Sequence, residues 1–174
     1  MKRLITAAVL SALAVAGVAQ EQQWHWGYSA DRTNLYAATE NDAGSALGQY
    51  CWPQSGECYY LLGIDASCDT GTDYPSLVNT EHSAFQVDLY CSHTFQGRHI
   101  YIVGDFEKFD EAVRRSLTIG IAIPMQSGHF QVNRFTLNGS ERSIDAMHNA
   151  SSTYRPGAPT PSPGGTMLPP KERI

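Results

Sequence analysis

Hydrophobic and polar positions alternate along most of this chain, at the two-residue period of strands that keep one face dry. The clearest stretch is residues 84–91. Phe85, Val87, Leu89 and Cys91 fall on one parity there, with Gln86, Asp88 and Tyr90 on the other. That pattern predicts a strand with one wet face. Shorter runs at residues 24–28 (WHWGY) and 34–39 (NLYAAT) predict two early strands. Residues 48–52 and 58–64 predict the arms of a hairpin about the turn Pro53-Gln54-Ser55-Gly56. Residues 99–103 (HIYIV) are apolar on both parities and predict a central strand. In residues 117–123, Leu117, Ile119, Ile121 and Ile123 share one face, with Thr118, Gly120 and Ala122 opposite.

Two stretches depart from this rhythm. Over residues 105–116 the period lengthens, with Phe106, Phe109, Ala112 and Val113 recurring at three and four. This predicts one short helix, with Asp105 as its N-cap. Glu107, Asp110 and Glu111 come early and Arg114 and Arg115 late, as the helix dipole favours. Further on, Phe130 and Val132 share a parity that Phe135 and Leu137 reverse. A face switch within one strand predicts a bulge near Asn133-Arg134. Asn138-Gly139 then carries the strongest hairpin signal in the chain, since a type I′ turn needs positive φ at both positions. A strand or short helix is expected over residues 140–147. Residues 65–79, rich in Asp, Gly, Thr, Ser and Pro, read as a long irregular loop.

Together these elements predict a mainly β fold over residues 22–149. It would be an antiparallel β-sandwich or barrel-like domain with one short α-helix and two disulfides. Residues 150–174 are dominated by Pro, Gly and Ser and predict a disordered tail.

The N-terminus sets the compartment. Lys2 and Arg3 precede an uncharged apolar run at residues 4–18, and Gly17-Val18-Ala19 offers small residues for cleavage. This is the pattern of a secretory signal peptide at residues 1–19. The run of 15 residues is shorter than the roughly 20 that a membrane span needs. No later stretch is long and apolar enough, so no membrane span is expected after cleavage. A periplasmic or secreted bacterial protein is predicted.

In that compartment the four cysteines read as staples. The spacings C-x6-C and C-x9-C lack the short knuckle of structural zinc sites. Of the three possible pairings, Cys51–Cys58 and Cys68–Cys91 are expected. The first closes the loop around a turn; the second pins a loop to the end of a strand.

Charge narrows the partners. The full chain carries a formal net charge of -5. Removing Lys2 and Arg3 leaves 10 basic residues against 17 acidic ones, a formal charge of -7. The basic residues are scattered, so nucleic acid is not an expected partner. The six histidines form neither H-x3-H nor H-E-x-x-H, although His93 and His99 flank one turn. Asp65, Asp69 and Asp73 recur every four residues without the EF-hand pattern. There is no G-x-S-x-G elbow, phosphate-binding glycine loop, dinucleotide fingerprint or C-x-x-C. No metal or cofactor is expected, and no catalytic residue can be named.

The candidate partner surface consists of Asp69, Asp73 and Tyr74 in the loop pinned by Cys68, with Trp24 and Trp26 near the N-terminus. The two tryptophans also suit a sheet core or sheet edge.

Residues 117–139, LTIGIAIPMQSGHFQVNRFTLNG, run as an apolar strand ending in Pro, a turn and a second strand. They resemble the late hairpin of the invasion-associated locus B family. An early Trp, paired cysteines and a signal peptide also suit that family. The resemblance implies an exported β-sandwich tied to host-cell interaction. It covers a minority of the chain, and the family's late cysteine pair has no counterpart, since no cysteine follows Cys91.

The expected function is that of an exported, non-catalytic binding protein with a protein partner, such as a periplasmic inhibitor, immunity protein or host-interaction factor. The alternatives are a small secreted hydrolase acting on cell-wall or polysaccharide substrates and a carbohydrate- or metal-binding module.

Overall fold

The structure is a computed structural model that describes residues 23–125 and 127–154. The expected signal peptide and residues 155–174 of the expected tail lie outside the described residues. Eleven elements follow in order: β1 (His25–Tyr28), β2 (Leu35–Glu40), β3 (Ala46–Trp52), β4 (Glu57–Ile64), β5 (Asp73–Thr80), β6 (Ala84–Phe95), β7 (Arg98–Val103), α1 (Phe106–Arg115), β8 (Thr118–Pro124), β9 (Phe130–Thr136) and α2 (Ser140–Ser152).

The strands form one sheet in the order β1-β2-β3-β4-β7-β6-β5-β8-β9. Every pairing is antiparallel. The first four strands form a meander. The β6–β7 hairpin then slots in beside β4, and β5 carries the sheet on to β8 and β9. The fold is thus the mainly antiparallel β architecture expected, with two helices and two disulfides.

The sheet curls until its ends touch without closing into a barrel. The Trp24 backbone N–H donates to the Asn138 carbonyl at 3.1 Å, and its indole N–H donates to the Thr136 carbonyl at 3.0 Å. Asn41 Nδ2 donates to the Arg134 carbonyl at 3.1 Å, and the Ser45 hydroxyl donates to Asn133 Oδ1 at 3.0 Å. These are isolated bonds, where a closed barrel would carry a continuous ladder.

The inner face follows the parities of the sequence. Leu35, Leu47, Leu62, Leu89, Ile119, Ile121 and Phe135 are buried there beside Tyr60 and Tyr101. Phe109 and Val113 of α1, with Ile144 and Met147 of α2, join the same core. Helix α1 meets the sheet through Tyr60, whose ring lies 5.0 Å from that of Phe109. Burial of such side chains stabilises by about 1.5–3 kcal/mol each.

Both disulfides form as expected, Cys51–Cys58 and Cys68–Cys91. Cys51 and Cys58 are direct cross-strand partners on β3 and β4. Their Cα atoms are 4.1 Å apart, against 6.1 Å for the second pair. Sequence separations of 7 and 23 residues set the loops. In the chain-entropy model these contribute about 2.5 and about 3.5 kcal/mol.

Five local expectations change. Residues 73–80 form a strand, β5, so the loop before it is shorter than read. Pro75 is tolerated because β5 pairs with β8 only from Leu77 to Thr80. In that register Pro124 stands opposite Pro75, and neither can donate a backbone bond. Second, β8 and β9 pair without a break from Thr118↔Thr136 to Pro124↔Phe130, so no bulge lies near Asn133-Arg134. Asn133 and Phe135 point inward and Phe130 and Val132 outward. The register irregularity sits instead in β6, between Cys91 and His93.

Third, Asn138-Gly139 makes no hairpin turn. Gly139, at φ 80°, leads β9 into α2, the second helix. Fourth, α2 runs to Ser152, three residues into the segment read as tail. Fifth, Asp105 precedes α1 but makes no side-chain cap, because its backbone is left-handed at φ 47°. Its carbonyl accepts from the Phe109 N–H instead.

Candidate functional site

The sequence-derived candidates do not converge. Trp24 is 5% exposed and joins the core, and its bonds to Thr136 and Asn138 hold the two ends of the sheet in contact, so it is not available to a partner. Trp26 is half-buried on the inner side of β1, with its ring 6.1 Å from that of Tyr28. Tyr74 is half-buried and edge-on to Tyr101 at 6.0 Å, and its hydroxyl accepts from the Asp69 N–H at 2.9 Å. Asp69 and Asp73 are exposed beside it. The Tyr74 hydroxyl thus ties the loop around Asp69 to the start of β5. No strand pairing joins β5 to β1, which holds Trp26 and directly follows Trp24.

The histidine pair also separates. Thr94 is the partner of His99 and His93 that of Ile100. Direct partners share a face, so His93 and His99 point to opposite sides. Among the described residues, two groups hold three ligand atoms within 4.8 Å: Cys51, Cys58 and His148, and Cys68, Cys91 and His99. In each, both sulfurs are locked in a disulfide, which offers no thiolate to a metal.

The densest polar cluster lies where both helices meet the sheet. Asp110 Oδ1 accepts from the Tyr60 hydroxyl at 2.7 Å and from Gln49 Nε2 at 3.0 Å. Asp110 Oδ2 accepts from Arg114 Nε at 2.7 Å, and Arg114 Nη1 reaches Asp145 Oδ1 of α2 at 2.7 Å. Because Gln49 donates its amide to a carboxylate, its Oε1 faces His148. His148 Nε2 lies 2.5 Å from that oxygen and therefore carries the proton.

Burial pushes the Tyr60 hydroxyl far above its ordinary range, and the Asp110 carboxylate adds to this. Burial, then the Arg114 charge, holds His148 below its ordinary value. Burial works against the Arg114 charge too, yet Asp145 and Asp110 outweigh it and hold the guanidinium firmly protonated. The network's chemistry is charge pairing. Both Asp110 oxygens are committed, and the two carboxylates share one guanidinium. It ties α1 and α2 to the disulfide-linked hairpin.

A second feature is an apolar surface on the outer side of β5, β8 and β9. Leu77, Ala122 and Val132 are aligned partners across the three strands. Leu77 is 49% and Val132 45% exposed, and Phe130, one inter-strand row further along, is 67% exposed. Sequence reading missed this surface because it resolved the parity reversal as a bulge, which would turn Phe130 and Val132 to the same face as Phe135. The signal was present: the parity reversal at Phe135 marks which pair faces out.

No family model and no curated protein sequence matches the chain. Among solved structures, it is similar to invasion associated protein B from Bartonella henselae. The TM-score is 0.55 at 11% identity, over 75% of this chain and 95% of that one. The likeness is one of fold, and it falls on the family that residues 117–139 resemble. Among the described residues no helix is long and apolar enough to cross a membrane. Two disulfides and no free cysteine accord with an oxidising compartment.

Proposed function

We propose that this is an exported binding protein that holds a protein partner on the outer face of β5, β8 and β9. One observation carries the reading: Leu77 on β5 and Val132 on β9 expose large apolar side chains on either side of Ala122 of β8, with Phe130 exposed beside Val132. Contiguous exposed apolar surface is costly in water and marks interaction sites. The likeness of fold to an invasion-associated protein supports an extracellular binding role. The acidic chain favours a partner with a basic rim around its own apolar patch.

The test is a photo-crosslinking residue placed at Val132, with Arg142 on the exposed side of α2 as control. Periplasmic and secreted fractions of the producing cell, and then host-cell extract, would be irradiated with each variant. The expected result is one discrete adduct from position 132, absent from position 142 and lost on Leu77→Asp. Equal labelling at both positions, no adduct, or an adduct with a second copy of the chain would overturn the reading.

A further inference from the structure

The outer face of the first four strands carries a different surface, made of aromatic rings. Tyr36, Tyr50 and Tyr59 are direct cross-strand partners on β2, β3 and β4, so all three share one face. Trp52 has the same parity as Tyr50, and its ring lies 6.0 Å from that of Tyr59. His25 stands on the same side of β1, edge-on to Tyr36 at 5.8 Å. Tyr36 and Tyr50 are 5.9 Å apart with planes tilted by 32°. Gly27 leaves room for the row: a Cβ there would lie 3.0 Å from the Tyr36 hydroxyl and would make that ring give by a few tenths of an ångström. None of these five side chains belongs to the main core cluster.

Two further details point to a ligand. Tyr50 forms the floor of the strip at 7% exposed, and its hydroxyl has no hydrogen-bond partner among the described residues. A buried hydroxyl left unpaired is rare and costly. At the open end Tyr59 is 38% exposed. There the exposed Glu57 stands opposite Trp52. The strip therefore offers a row of aromatic rings, phenol and imidazole polar atoms, and a carboxylate at its margin.

We propose that this strip binds a neutral, β-linked polysaccharide chain, whose pyranoses pack on Tyr36, Tyr59 and Trp52 above the buried Tyr50. Pyranoses joined through equatorial bonds present flat faces of axial C–H groups, which suit aromatic rings, while their hydroxyls suit the polar edges. Neighbouring strands lie about 4.8 Å apart, close to the repeat of pyranoses in an extended β-linked chain. The strip contributes no Lys or Arg, so an anionic polymer finds no partner there and meets Glu57. This site is on other strands than the proposed protein-binding face, and the two can fail separately.

The test is titration of the full chain with N-acetylchitohexaose and with cellohexaose, followed by tryptophan fluorescence and calorimetry, with α-linked maltohexaose as comparator. Binding of at least one β-linked chain in preference to maltohexaose is expected. Tyr59→Ala and Trp52→Ala should each weaken it about tenfold or more, a loss of about 1.4 kcal/mol. Leu77→Asp should leave it unchanged. Tyr50→Phe should weaken binding without lowering the melting temperature. No binding of either β-linked chain at millimolar concentration would overturn the proposal, as would equal binding of maltohexaose. A protein adduct from a crosslinker at Tyr59 that the sugars do not displace would assign the strip to a protein instead.

Discussion

The Tyr60 hydroxyl, on the fourth strand of the sheet, donates a 2.7 Å hydrogen bond to Asp110 on the first helix. The same carboxylate oxygen accepts from Gln49, and its twin accepts from Arg114. Removing Asp110 would leave three donors without their acceptor, one of them the deeply buried Tyr60 hydroxyl. Hydrogen bonds to charged groups are worth about 1.5–3 kcal/mol. Asp110→Ala is expected to destabilise by at least that much in urea unfolding. Tyr60→Phe, which removes one donor and keeps the ring against Phe109, should cost less. Equal costs would show that Asp110 acts through Tyr60 alone.

The histidines set the acid side of the stability profile. Burial lowers His25 below its usual 6.5, against a smaller opposing effect of the Gln23 backbone. Burial and Arg114 lower His148 in the same way. In this window the unfolded chain binds more protons than the folded one, so stability rises with pH. The contribution is full above about 6.5 and is lost as pH falls through the lower folded values. The carboxylates act at lower pH. Hydrogen bonds from Ser29 and Thr33 hold Asp31 below its ordinary value, and the Leu117 N–H does so for Glu81. Their contributions vanish only as pH falls through those depressed values. The melting temperature should therefore drop in two stages on acidification. His25→Gln with His148→Gln should flatten the first stage and spare the second.

The assignment of faces on the last strand gives a direct stability test. Phe135 is buried and Val132 points to solvent. Phe135→Ala should cost about 3–5 kcal/mol, as expected for emptying a core site. Val132→Ser should change stability by no more than about 0.5 kcal/mol. Similar costs for the two would place both side chains inward and restore the expected bulge.

This strand also shows what was legible in the sequence and what was not. Val87, Leu89 and Cys91 announced their strand because one inward parity was apolar throughout. The disulfides were legible because Cys51 and Cys58 bracket a turn and four cysteines allow few pairings. The strand at residues 73–80 stayed hidden: its inward parity includes Ser76, and Pro75 argues against a ladder. The last helix was half legible: a strand or short helix was expected over residues 140–147, and the turn dipeptide that kept the strand open only supplies, in the fold, a left-handed backbone ahead of the helix. Phe130 and Val132 misled because their parity switch suited a bulge, whereas the unbroken register turns them to the outer face. The polar network had no local signature. Gln49 meets Asp110 across 61 residues and His148 across 99, and only the packing of both helices on one sheet brings them together. The tyrosine row depends in the same way on register between three strands, which residue types alone do not set.

The contact between the two ends of the sheet has a consequence for recognition. Trp24 occupies backbone acceptors at Thr136 and Asn138, and Asn41 occupies one at Arg134. These are groups with which an incoming extended peptide would begin to zip onto an open sheet margin. With the first and last strands engaged on each other, lateral growth has no clean starting point. That guards the chain against polymerising through its backbone. It leaves recognition to side chains on broad surfaces, where a single substitution can change the partner without disturbing the scaffold.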